Sequence, residues 1–172
     1  MKDLVVLVPD KNVCFGIKGL LSRHNSLNIK EISYDIFVHP QRDPGIYRDA
    51  ANFLRQFSGQ YSYALVFLDH EGSGKENMTP HEMAAKIKEE IQQNGWPDKA
   101  EVIVFDPEFE IWVWIDSPQI ASALGWKGDF SNLKSWLMKK GLWGQNSVKP
   151  KRPKEAVEAS LRSKGIPRSS SI

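Results

Sequence analysis

Tyr63-Ala-Leu-Val-Phe-Leu-Asp-His-Glu-Gly-Ser-Gly74 is the stretch whose reading decides the fold. Ala64 to Leu68 is an unbroken apolar run, the pattern of a strand covered on both faces in a parallel sheet. It runs directly into Asp69, His70 and Glu71, and Gly72 and Gly74 then let the chain turn away sharply. In open parallel sheets, ligands gather at the carboxyl ends of the strands. Two carboxylates placed there, two residues apart, suit a hard cation. The competing reading is a strand followed by an ordinary polar loop.

Working outward, the other segments repeat the same grammar. Leu4 to Val8 is a β-branched apolar run closed by Pro9-Asp10, a first strand. Val13, Ile17, Leu20 and Leu21 then recur at helical spacing, with Asn12 as the expected N-cap. Residues 29–38 read as a second strand, in which Ile32, Tyr34 and Ile36 alternate with Glu31, Ser33 and Asp35, the pattern of a half-exposed or edge strand. His39-Pro-Gln-Arg-Asp-Pro-Gly45 reads as a loop, and a helix follows over residues 46–57. Thr79-Pro-His-Glu82 has capping-box spacing with proline at the first helical position, so a third helix starts there and runs to about Gln93. Residues 100–105 form a fourth strand ending in Asp106, Glu108 and Glu110. The fold class expected is therefore α/β, a mostly parallel four-stranded sheet sandwiched by helices.

Beyond the fourth strand the text turns helical. Ile111-Trp-Val-Trp-Ile115 fits strand composition but is read as helix, followed by short helices over residues 119–124, 130–140 and 153–163. The five tryptophans from Trp112 to Trp143 are read as core in preference to a base-stacking platform. Lys149-Pro-Lys-Arg-Pro153 reads as a basic linker, giving a domain over residues 1–145 and a linker with C-terminal helix and tail over 146–172. The Ser-rich end from Arg168 is expected to fray.

Composition narrows the function classes. The 172 residues hold 41% apolar and 26% charged residues, ordinary for a globular chain. The single cysteine, Cys14, excludes an internal disulfide and a multi-cysteine zinc site. No membrane-length apolar segment or secretory leader is evident, so the expected location is cytoplasmic. The net charge of +2 conceals an asymmetry, with seven Lys/Arg against two Glu from Lys149 onward and a balance of −3 before it. Such a basic tail suits nucleic acid, an acidic partner, or plain solvation.

If the strands are parallel, Asp10, His39, Asp69, His70, Glu71 and Asp106, with Glu108 following, leave one sheet edge. Clustered carboxylates repel unless a cation sits among them, and Mg²⁺ or Mn²⁺ is the natural occupant. Either histidine is a candidate proton carrier or added ligand. Each acid taken alone is equally a helix cap or a loop residue. Gly72-Ser-Gly-Lys75 lacks the spacing of a nucleotide phosphate loop.

These strand-end acids resemble the Toprim fold of topoisomerases, primases, overcoming-lysogenization-type nucleases and small prokaryotic defence proteins, over roughly residues 3–125. In that family an acid follows the first strand and Asp-x-Asp follows the third, binding Mg²⁺ for phosphodiester chemistry. Here Asp69-His-Glu71 stands in the Asp-x-Asp place, with glutamate for the second aspartate, and Asp10 stands where the family has glutamate. Pro107-Glu-Phe-Glu-Ile-Trp-Val-Trp114 is similar to a Glu-x-Trp helix of small Toprim-like proteins often found near phage-defence genes, with Glu108 or Glu110 as its glutamate. The resemblance implies a metal-dependent nuclease, possible in phage defence, with Asp69, Glu71 and Asp10 on the metal and Glu108 or Asp10 completing the catalytic set. Lys11 or Arg42 would steady a phosphate. The alternative it implies is a catalytically degenerate subunit that binds a partner protein of a defence system or nucleic acid.

Overall fold

The computed structural model describes residues 1–167; the Ser-rich end expected to fray lies outside them. The chain divides into two compact units, Met1–Asp106 and a second beginning at Pro107. The expected boundary at 145/146 thus falls inside the second unit.

The first unit is β1 (Lys2–Val8), α1 (Lys11–Leu21), β2 (Tyr34–Val38), α2 (Arg42–Arg55), β3 (Tyr61–Asp69), α3 (Pro80–Gln93) and β4 (Ala100–Phe105). Its four strands form one all-parallel sheet in the order β2-β1-β3-β4. Register pairs Val5 with Ala64 and Val66 with Val102, so β1 and β3 are interior strands. This explains the unbroken apolar run of β3, whose two faces are both covered, while β2 is an edge strand with half-buried or exposed residues throughout. The extended segment expected from residue 29 is strand only from Tyr34, because the pairing of β2 with β1 begins at Leu4–Tyr34.

Side chains alternate across the sheet. Val5, Leu7, Ala64, Val66, Leu68 and Val102 join a core with Ile46, Ala50 and Leu54 of α2 and Met83, Ile87 and Ile91 of α3. Val6 and Val8 point to the other face, where α1 packs its buried Val13 and Ile17 against β1 and β2. The capping box at Thr79 is present as expected, with Thr79 Oγ1 accepting the Glu82 N–H and the Glu82 carboxylate accepting the Thr79 N–H. Two starts differ from expectation. The N-cap of α1 is Asp10, not Asn12, because Asp10 has the extended backbone a cap requires and its Oδ1 accepts the Val13 N–H at 3.0 Å. Helix α2 begins at Arg42, so Asp43-Pro44-Gly45 lies in its first turn, where proline costs no hydrogen bond.

The second unit holds a 3₁₀ turn, η1 (Phe109–Trp112), and the helices α4 (Pro118–Ala123), α5 (Phe130–Lys139) and α6 (Pro153–Ser163). Its core joins Trp114, Ala121, Leu133, Leu137, Trp143, Ala156 and Leu161. Trp114 Nε1–H donates to the Pro153 carbonyl at 3.0 Å, tying α6 to this core. Trp114 and Trp143 are buried, in line with the core reading, whereas Trp112 is 45% exposed. Among the described residues no helix is long and apolar enough to cross a membrane.

Candidate functional site

Parallel strands deliver their carboxyl ends to one edge of the first unit, and Asp10, His39, Asp69 and Asp106 all sit at or just past those ends. Lys11 and Arg42 are the first residues of α1 and α2 and reach the same edge, both exposed. Arg42 is held at φ 50°, left-handed backbone that costs a non-glycine residue on the order of 1 kcal/mol. That strain sits at the turn from β2 into α2.

His39, read as a proton carrier, is 4% exposed. Its Nδ1 accepts the Gln41 N–H at 3.1 Å, and its ring packs 5.4 Å from that of Phe53. Burial is the largest influence on its titration and lowers its pKa, so the imidazole is held neutral and acts in packing. His70 donates from Nε2 to the Met78 carbonyl at 2.8 Å, and its Nδ1 lies 3.8 Å from Asp106 Oδ1. It therefore links the β3 end, the following loop and the β4 end.

Asp43 is the residue that reading the strands did not find. Its Oδ1 accepts the Asp69 N–H at 2.7 Å, fastening the start of α2 to the end of β3. Burial is the first cause raising its carboxyl above the usual range; the Asp69 amide works against that rise, and the charge of Asp10 adds to it. The signal available was the symmetry of the edge: β1, β3 and β4 each had an acid soon after their ends, and β2 had been given only His39.

Glu71 is exposed. Beyond it, Glu76 Oε1 accepts the N–H groups of Gly72 and Gly74 at 2.9 and 3.2 Å, so those amides close their own loop. Glu108 and Glu110 belong to the second unit. There Glu108 Oε1 accepts the Lys154 N–H at 2.8 Å in the first turn of α6, and Glu110 lies buried in η1.

Among the described residues no three His, Cys, Asp or Glu side chains gather into a group able to hold a metal ion. Among the described residues the expected Asp69, Glu71 and Asp10 form no such group, and the charge of Asp10 is a lesser cause of the raised Asp43 carboxyl. A pair still fits Mg²⁺, which commonly takes one or two protein carboxylates and keeps waters or substrate oxygens in its remaining positions.

Fold and edge together define an α/β protein built on a four-stranded parallel sheet with an acidic carboxyl edge. No family model matches the chain, and neither does any curated protein or solved structure.

Proposed function

We propose that the first unit is a Toprim-like domain that uses a divalent cation, Mg²⁺ or Mn²⁺, in phosphodiester chemistry on nucleic acid. The observation that carries this reading is Asp43 at the carboxyl edge, its Oδ1 accepting the Asp69 N–H at the end of β3 and its ionisation opposed first by burial, a penalty that a bound cation reverses. Asp10 and Asp43 would hold the ion, with Asp69 at the adjoining strand end. When bound, such an ion polarises a phosphate oxygen and lowers the pKa of water. The chain's own contributions are Lys11 and Arg42, whose exposed cations at the starts of α1 and α2 suit the charge of a phosphate group, and the His70 link that fixes the loop after β3.

A second reading, a non-catalytic subunit of the same fold that binds a partner protein or nucleic acid, is favoured by Asp10 serving as a helix cap and by the absence of a three-ligand group among the described residues. Thermal melts with and without Mn²⁺ or Mg²⁺ separate the two. An ion at ten times its dissociation constant stabilises the fold by about 1.4 kcal/mol, a rise of about 3–6 °C for a chain of this size. The metal reading expects that rise, its loss in Asp43→Asn and Asp10→Asn, and metal-dependent cleavage of an oligonucleotide that disappears with it. No rise in the unsubstituted chain would leave the second reading.

A further inference from the structure

The second unit contains a cleft of about 710 Å³ lined by residues of the 114–116 turn, the beginning of α5 and residues 143–149. Its size falls within the roughly 300–1,000 Å³ of small-molecule sites. Trp114, Phe130 and Trp143 line it, and Trp143 packs edge-to-face on each of the other two at 5.4 and 6.1 Å. These nearly buried rings form its floor, and the apolar surface open to a ligand comes mainly from the exposed Ile115 and Val148.

Two ammonium groups stand on this lining, each held by something other than a carboxylate. Lys134 Nζ lies 5.2 Å over the Trp143 ring, and Lys149 Nζ donates to the Ile111 carbonyl at 3.0 Å. Neither belongs to an ion pair among the described residues. Among the described lining residues Asp116 is the only acid, and Gln145 and Asn146 add two exposed amides. Residues 107–172 carry eleven Lys/Arg against six Asp/Glu, a balance of +5, so the wider field also favours an anion.

We propose that this cleft binds a nucleotide, with phosphate at Lys134 and Lys149 and the base against the apolar lining, its edge within reach of the Gln145 and Asn146 amides. An inorganic anion would leave the apolar lining unused. A neutral apolar ligand would cover two ammonium groups without supplying a counter-charge, which is costly. Side-chain amides present the donor and acceptor pairs that base edges match. The nucleotide is either free or one unit of a single strand, and the chemistry of recognition is shared. The inference does not rest on the cation reading of the strand edge, and its test is run in EDTA so that the two fail separately.

Titration of the full chain by tryptophan fluorescence and calorimetry would use the four ribonucleoside 5′-monophosphates, the matching nucleosides, inorganic phosphate, a short oligothymidylate and polyglutamate. The expected result is saturable binding of mononucleotides or of the oligomer, with nucleosides and phosphate weaker, and about a tenfold loss in Lys134→Gln and in Lys149→Gln, as for the loss of one charge-assisted contact. Lys134→Gln should melt close to the unsubstituted chain, and Lys149→Gln lower by no more than the loss of its bond to the Ile111 carbonyl accounts for. Binding of mononucleotides identifies the free ligand; binding of the oligomer alone identifies a strand. No saturable binding up to millimolar concentration, binding that both substitutions leave unchanged, or equal competition by polyglutamate overturns the proposal.

Discussion

Gly45→Ala is the substitution whose effect the structure fixes most tightly. In an open helical position, replacing glycine by alanine stabilises by roughly 0.5–1 kcal/mol, because the unfolded chain loses freedom and the helix gains propensity. Gly45 is in the first turn of α2, with no left-handed backbone to forbid a side chain. The added methyl, however, would fall 2.3 Å from His39 Nδ1, 2.4 Å from His39 Cε1 and 2.6 Å from Gln41 Cβ. His39 has little room to retreat, being buried, bonded through Nδ1 to Gln41 and packed on Phe53. Overpacking of this kind costs about 1–3 kcal/mol, and losing the Gln41 hydrogen bond adds about 0.5–1.5 kcal/mol. Set against the glycine gain, the net destabilisation is about 0.5–4 kcal/mol by these same terms. At about 2–4 °C per kcal/mol, the melting temperature falls by about 1–16 °C. Urea denaturation followed by circular dichroism reads the change directly. His39→Ala combined with Gly45→Ala should cost less than the sum of the single changes, since the clash partner is gone. A Gly45→Ala protein as stable as the parent, or additive single and double variants, would refute the packing argument.

Asp43→Asn tests the buried carboxyl. Because folding raises the Asp43 pKa, the folded chain binds more protons than the unfolded one between the usual carboxyl value and the raised one, and stability falls as pH rises through that window. In EDTA the variant, whose amide oxygen still accepts the Asp69 N–H, should be more stable than the parent at neutral pH and lose that advantage in acid; urea midpoints across pH show whether it does. Thr79→Ala removes the cap oxygen of α3 and should cost about 1 kcal/mol, with Thr79→Ser restoring most of it in the same titration. Trp114→Ala empties a buried ring site and breaks the bond to Pro153, so about 3–5 kcal/mol is lost from the second unit; calorimetry should show its unfolding at lower temperature, and an unshifted profile would contradict the core described for it.

The sheet was legible because each strand's burial is written in its own residues. Residues 64–68 are apolar throughout since β3 lies between β1 and β4, and the alternation over residues 31–36 leads into β2, which is an edge. The Thr79 box was legible because both partners lie within four residues. Less was visible where a choice depends on distant groups. Asp10 and Asn12 are both good cap residues, and only the backbone path out of β1 selects Asp10. Lys149-Pro-Lys-Arg-Pro153 has linker composition, yet Pro153 is buried and opens a helix whose Ala156 and Leu161 join Leu133 and Trp114 in one core. Local text cannot show which surface an amphipathic helix will meet. Asp43 was hidden for a related reason: a Pro-Gly pair reads as loop, and only the fold shows that it forms a helix's first turn, with the acid beside it aimed at the neighbouring strand end.

The edge acids are not equivalent, and the difference bears on which functional reading survives. Asp10 accepts a helix amide, Glu76 accepts two loop amides and Glu108 accepts the Lys154 amide, so each has local structural work. Their presence needs no ligand to explain it. Asp43 accepts an amide too, but burial and Asp10 outweigh that gain, and its charge is opposed in the folded chain. Asparagine would keep the Asp69 bond without the penalty, so a carboxyl at this position trades stability for something the amide lacks. Under the cation reading, that something is a negative charge for the ion, and Asp43→Asn gains stability in EDTA while losing the Mn²⁺-induced rise. Under the subunit reading it gains stability in both conditions. The same pair of melts therefore separates a carboxylate kept for chemistry from one kept by the geometry of the β2–α2 turn alone.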